Sequence, residues 1–218
     1  MSLSHSPKIV TDGLVCCLDA NDPKSYNGSG STWFDRTGNT NATILNSPVF
    51  EDGYFSLNGT NQYASVSNVV DFSIQEAFTA EIWAKSDNSV WNDNGYLVSR
   101  RNQFIIHPQA GSTDVRFYYN NGGWPSILMS VDDITVWHQY VVSANTSTFK
   151  GFLDGINKVS AGGLSSLTSD GGVIEIGKDD NLARYFDGKI ACVRLYDRAL
   201  TPAEILQNYN ATKGRFGL

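Results

Sequence analysis

The stretch YFDGKIACVRLYDRALTPAEIL, residues 185–206, changes its apolar period part-way along, the mark of a strand that runs straight into a helix. Apolar side chains alternate first, Ile190 and Cys192 on one side, Ala191, Val193 and Leu195 on the other, as in a strand with one wholly buried face. The signals of a helix start follow. Thr201 is placed to accept the Glu204 backbone N–H while Glu204 reaches back, Pro202 takes the first helical position, and Leu200 can staple onto Ile205. Ile205, Leu206 and Tyr209 then give an apolar face, and Gly214 after Lys213 predicts the stop.

Outward from this corner the chain reads as short strands separated by turn residues. GLVCCLDA, residues 13–20, is apolar without alternation and suits a strand covered on both faces. Residues 21–41 form a loop dense in Asn, Gly, Ser and Thr; its Trp33 and Phe34 either pin it to the body or present a stacking surface, and pinning is the commoner outcome. Strands are expected at Ala42–Leu45, Val49–Glu51, Tyr54–Leu57 and Tyr63–Ser67, with Asp52-Gly53 as a two-residue hairpin turn and residues 58–61 as a corner. Over Phe78–Lys85, alternation sends Phe78, Ala80, Ile82 and Ala84 to the core and sets Glu81 beside Trp83 on the opposite face. Asp154-Gly155 closes a second clear hairpin, and residues 161–172 read as a flexible stretch. No repeat or linker divides the chain. The expectation is one domain over residues 1–218, with 1–8 flexible: an all-β antiparallel sandwich carrying one short C-terminal helix.

Several of these segments resemble a known family. "FDGKI…VRLYDRALTPAEI", "FSLNGTNQYASV", "WHQYVVS" and "FLDGINKVS" are similar to motifs of the laminin-G-like / concanavalin A-like lectin/glucanase jelly rolls. The order of GL, LDA, Asp22-Pro23-Lys24-Ser25-Tyr26 and Trp33 resembles the laminin-G-like domains of phage and bacterial surface proteins. The resemblance implies a jelly roll that binds glycans or mediates adhesion at a virion or cell surface, with other virion or surface proteins as further partners. It implies function less firmly than fold, since function sits in loops grafted on such scaffolds.

Composition narrows the classes further. Aromatic residues make up 12% of the chain and charged residues only 17%, with 20 glycines, which favours strands over helices. Sixteen Lys and Arg against 22 Asp and Glu give a net charge of −6 with no basic cluster, so a nucleic-acid partner is not expected. No stretch approaches a membrane span, and MSLSHSPKIV lacks the basic and apolar regions of a signal peptide. An extracellular, cell-surface or virion location therefore implies another export route or an upstream segment. Cys16, Cys17 and Cys192 lie in apolar runs and read as buried thiols; a bridge from Cys16 or Cys17 to Cys192 is the alternative.

For chemistry, the glucanases that share the implied fold carry alternating carboxylates in a pattern like E-x-D-x-E, which puts all of them on the cleft face. Here Asp132 and Asp133 are adjacent and point oppositely, and Glu175 stands alone. The sequence thus reads as non-catalytic, with a carboxylate pair assembled by folding as the remaining enzymatic route. His5, His107 and His138 have no transition-metal spacing. The resemblance makes calcium the metal candidate, with Asp187, Asn58 and Asp19 as ligands at strand ends, against the alternative that these residues satisfy their own turns. Sugar recognition needs aromatic faces for ring C–H groups and planar polar groups for hydroxyls. Tyr118, Tyr119, Asn120, Asn121 and Trp124 supply both in one loop, and Trp91, Asn92, Asp93 and Asn94 in another. Either loop could instead fold down on its own aromatics. A non-catalytic glycan-binding module is the favoured reading, and a structural assembly domain without a small ligand is the second.

Overall fold

The structure is a computed structural model that describes residues 7–67, 77–92, 95–100, 103–163, 172–179 and 182–218. Asp93, Asn94, residues 1–6 and most of the stretch read as flexible at 161–172 lie outside the described residues.

The described strands are β1 (Leu14–Asp19), β2 (Thr32–Trp33), β3 (Ala42–Leu45), β4 (Val49–Glu51), β5 (Tyr54–Asn58), β6 (Tyr63–Val66), β7 (Ala77–Ser86) and β8 (Val98–Arg100). They continue as β9 (Phe104–Pro108), β10 (Val115–Tyr119), β11 (Ser126–Met129), β12 (His138–Asn145), β13 (Thr148–Leu153), β14 (Ile156–Gly162), β15 (Ile174–Ile176) and β16 (Asp187–Tyr196). One helix, α1 (Pro202–Thr212), follows. Two antiparallel sheets result. The first runs β14-β13-β12-β7-β16-β5-β4, with β1 and β5 sharing one edge of β16 end to end; the second runs β11-β10-β9-β8-β15-β6-β3-β2.

The core lies between the sheets and is filled by the inward side chains of both, as the period-two pattern requires. Phe78, Ala80, Ile82 and Ala84 of β7 face inward as expected and join Val98, Phe104, Ile106 and Phe117 from the other sheet. Phe78 stacks on Phe104 at 5.2 Å between ring centres, and Tyr119 meets Phe149 edge-on at 5.0 Å. At Gly151 a Cβ would fall 2.6 Å from the Phe117 ring, so this close packing requires a glycine. Both Asp-Gly turns have left-handed backbones at each central residue, Asp52 (φ 48°) with Gly53 (φ 82°) and Asp154 (φ 53°) with Gly155 (φ 77°), the geometry whose twist matches the flanking strands.

The 185–206 corner forms as its sequence dictates, with three corrections. Thr201 caps α1 and Glu204 completes the reciprocal box, while Leu200 and Ile205 share one apolar cluster. A bulge between Ile190 and Cys192 breaks the alternation, however. Ile190 therefore joins Val193 and Leu195 in the core, whereas Ala191 and Cys192 turn outward onto Trp83. Both faces of β16 are buried, because α1 and the 3₁₀ turn after it cover the outer one. The helix does not stop at Gly214: it tightens into the 3₁₀ turn Lys213–Phe216, and Gly217 (φ 74°) terminates it. Leu206 is exposed, and the buried residues of α1 are Ile205, Asn208 and Thr212. The face is partly polar because it meets charged groups of the sheet.

Those groups are Glu81 and Arg194, side by side on β7 and β16 and both 1% exposed. Arg194 pairs with Glu81 rather than with a neighbour in sequence such as Asp197, and it also donates to the Thr212 hydroxyl at 3.2 Å. Asn208 donates to the second Glu81 oxygen and to the Tyr196 hydroxyl, both at 2.9 Å, and its own oxygen accepts the Val10 N–H at 2.8 Å. Arg198, by contrast, pairs with Glu204 of the helix start and with Asp12 near the N-terminus. All three cysteines are free and buried. Burial pushes the Cys16, Cys17 and Cys192 thiols up, so they act as small apolar side chains.

Candidate functional site

The loop between β10 and β11, residues 120–125, is built by its own amides. The Asn120 and Asn121 side-chain oxygens accept the backbone N–H of Gly122 (2.8 Å) and Gly123 (3.0 Å), the turn chemistry that Asn supplies. Backbone bonds from Asn120 to the Gln103 carbonyl and from Tyr119 to the Pro125 carbonyl tie the loop to the sheet. Trp124 sits in a left-handed conformation (φ 55°), which is costly for so large a side chain and is held by the loop around it.

Alternation on β10 divides the two tyrosines of this segment. Tyr119, with Val115 and Phe117, points into the core and is 5% exposed. It offers no face to a ligand. Tyr118 points outward and lies opposite Ile105 of β9 and Ser126 of β11. His107, two residues along β9 from Ile105, meets Tyr118 edge-on at 5.8 Å; Tyr118 meets Trp124 edge-on at 6.5 Å, and Tyr96 meets His107 at 5.2 Å. Tyr96, Ile105, His107, Tyr118 and Trp124 line a hollow of about 180 Å³ on the outer face of the second sheet. Arg116 stands directly across from His107, fixed by bonds to Ser126 Oγ (3.2 Å) and Gln109 Oε1 (3.3 Å). Tyr96, His107 and Arg116 are absent from the sequence-based set. The signal for His107 was its place two residues from Ile105 on a strand, which puts both on one face; for Tyr96 there was none.

Of the second expected loop, the described residues Trp91 and Asn92 are turned to structural work. Trp91 is 1% exposed and lies in the core against Tyr140 and Phe186, with its backbone N–H and carbonyl bonded to Ser112 and Gly111. It is the pin that folds this polar loop down. Asn92 spends both amide atoms on the backbone of β16's entry, donating to the Tyr185 carbonyl and accepting the Asp187 N–H, each at 3.1 Å.

The calcium candidates separate in space. Asp187 and Asn58 are register partners on β16 and β5. Asn58 Oδ1 accepts the N–H groups of Thr60 and Asn61, and Asp187 Oδ2 accepts from Asn88 at 2.8 Å. Asp19 is opposite Cys192, five residues further along β16 and thus about 16 Å away at ~3.3 Å per residue. Its carboxylate is gripped at both oxygens by Arg215, at 2.7 and 2.5 Å. The three do not form one donor set, and no group of three or more His, Cys, Asp or Glu suited to a metal occurs among the described residues.

Comparison with known proteins identifies the family and the fold. Residues 58–206 match a laminin-G-type family model described as the concanavalin A-like lectin/glucanases superfamily. No curated protein matches the sequence. Among solved structures, domain 4 of a GH43 extracellular arabinanase from Geobacillus stearothermophilus, in complex with arabinotriose, is similar at a TM-score of 0.70 and 17% identity, covering 90% of this chain and 98% of that one. The binding domain of botulinum neurotoxin DC in complex with rat synaptotagmin II is similar at 0.68 and 15% identity, over 91% of this chain and 51% of that one. A structure of botulinum neurotoxin type C, whose cell entry depends on two ganglioside molecules, gives 0.69 and 17%, over 91% and 51%. The chain thus spans about half the length of the toxin domains it matches. No helix among the described residues is long and apolar enough to cross a membrane.

Proposed function

The chain belongs to the concanavalin A-like lectin/glucanases superfamily, and from that premise we propose that it is a non-catalytic recognition module for a carbohydrate displayed outside or on the surface of a cell, bound in the hollow beneath Trp124. The observation that carries the reading is the aromatic run Tyr96–His107–Tyr118–Trp124 on an outer sheet face. Edge-to-face packing tilts successive rings, so the hollow presents ring faces for sugar C–H groups, with the His107 imidazole in its lining and the Arg116 guanidinium beside it as the polar groups. Arabinotriose in the arabinanase domain and gangliosides in the toxin support the ligand class. Solvated stacking of this kind is weak per site, and display in several copies gives tight attachment. A phage virion or a bacterial surface would supply that display.

A glycan array read with wild type and Trp124→Ala, with and without calcium, tests the proposal. Binding that falls about tenfold or more on truncation of this half-buried ring, with an unchanged melting temperature, is the expected result. A blank array, or hits that Trp124→Ala retains in full, moves the function elsewhere, and polysaccharide turnover by purified protein would revive the enzymatic reading.

A further inference from the structure

We propose that a second oligosaccharide-binding groove, formed by two adjoining hollows around Asn21 and Gly53, lies beside the outer face of the other sheet. One hollow, about 260 Å³, is lined by Asp52, Tyr54, Trp137, Arg215 and Phe216; the other, about 180 Å³, by Tyr26, Asn27 and Phe50; Asn21 and Gly53 line both. A Cβ on Gly53 would fall 2.4 Å from Asn21 Oδ1, so the two residues are in tight contact and form the common wall. With no side chain on Gly53 that wall stays low. Each hollow alone is smaller than the ~300–1,000 Å³ of ordinary ligand sites, and the two joined reach that range. The groove therefore fits a chain of sugar units better than a single one.

The lining repeats the chemistry of sugar recognition with different residues. Trp137 is fixed by a stack on Phe216 (4.5 Å) and by Tyr54 at 5.5 Å, so its indole edge and the Tyr54 ring are held in place before any ligand arrives. Arg215 is oriented by its two-point grip on Asp19, which also cancels its charge. The hollow also presents the Asp52 carboxylate and the Asn21 amide, both on exposed residues. Planar acceptors and donors beside rings suit vicinal hydroxyls, and with Lys85 Nζ 5.7 Å from the Trp137 ring centre set against the Asp52 carboxylate, the groove carries both signs and selects no charged glycan. A neutral oligosaccharide is the ligand class. The groove shares that class with the Trp124 hollow but none of its residues, so one chain could bridge two glycan strands.

The tryptophans separate the two sites. Of the five in the chain, Trp33, Trp83 and Trp91 are at most 1% exposed, leaving Trp124 and Trp137 as the indoles a ligand can reach. Indole N–H cross-peaks of ¹⁵N-labelled full-length protein, assigned with Trp137→Phe and Trp124→Phe, are followed against arabinotriose, xylotriose, cellotriose and maltotriose at millimolar concentration. A saturable shift of the Trp137 peak with at least one trisaccharide is expected. Combining Asn21→Ala with Asp52→Asn, which keeps the turn chemistry, should weaken that titration about tenfold, the equivalent of ~1.4 kcal/mol, and leave any Trp124 titration unchanged. A Trp137 peak that stays fixed with all four sugars overturns the groove even if Trp124 moves, as does a Trp137 shift of unchanged affinity in the double variant. A fixed Trp124 beside a moving Trp137 refutes the earlier reading instead.

Discussion

Replacing Arg194 by Met leaves the Glu81 carboxyl 1% exposed and without its cation. One of its oxygens keeps the Asn208 amide, but that neutral donor already divides itself between Glu81 and Tyr196. Breaking one side of such a buried pair costs about 3–5 kcal/mol, a large share of the ~5–15 kcal/mol that holds a domain together. At a urea slope near 2 kcal/mol/M, the unfolding midpoint should fall by about 1.5–2.5 M. Converting both partners together, Glu81→Leu with Arg194→Met, removes two desolvated charges at once and leaves Asn208 bonded to Tyr196 and Val10. That variant should lie within about 1–2 kcal/mol of wild type, because well-packed apolar replacements of buried pairs are often neutral. Equilibrium urea unfolding followed by tryptophan fluorescence measures all four corners of the cycle. The reasoning fails if Arg194→Met costs under about 1 kcal/mol, or if the double variant is no more stable than Arg194→Met.

Three further outcomes follow from the same geometry. Thr201→Ala removes the hydroxyl that accepts the Glu204 N–H at the start of α1 and should cost about 1 kcal/mol in the same unfolding assay; a loss below the error of that assay contradicts the capping role. The Arg198 guanidinium, outweighing a small burial penalty, and bonds from Thr201 hold the Glu204 carboxyl at about 2. This contribution is therefore present above the ordinary value of 4.5 and disappears as pH falls through about 2, and Arg198→Gln should reduce that acid-side loss while the Thr201 bonds keep part of it. His138 bonds Asp154 Oδ2 at 2.7 Å and the Asp133 carbonyl at 2.8 Å; burial opposes its charge, but Asp154 prevails and raises its pKa above 6.5. Its stabilisation is full below pH 6.5 and fades as pH rises through the raised value, so the stability gap between wild type and His138→Gln should shrink with rising pH; a constant gap refutes the charge pairing.

The sequence by itself determined the features whose physics is local. The Thr201–Glu204 box, the two Asp-Gly turns and the alternation of Phe78, Ala80, Ile82 and Ala84 each depend on residues within a few positions of one another, and all appear in the structure. Tertiary structure alone decided the rest. The bulge that moves Ile190 to the side of Val193 arises in the pairing of β16 with β7 and leaves no mark in either strand's composition. Burial of Trp91 and the inward turn of Tyr119 depend on which face meets the opposing sheet, so two aromatic loops that look alike as sequence end as one core pin and one surface hollow. The partners of Glu81 and of Trp137, at Arg194 and Asn208 and at Tyr54 and Phe216, come from distant segments. Turn and cap energies act over one helical turn or one hairpin, whereas burial and ion pairing act between strands whose neighbours only the closed sandwich chooses.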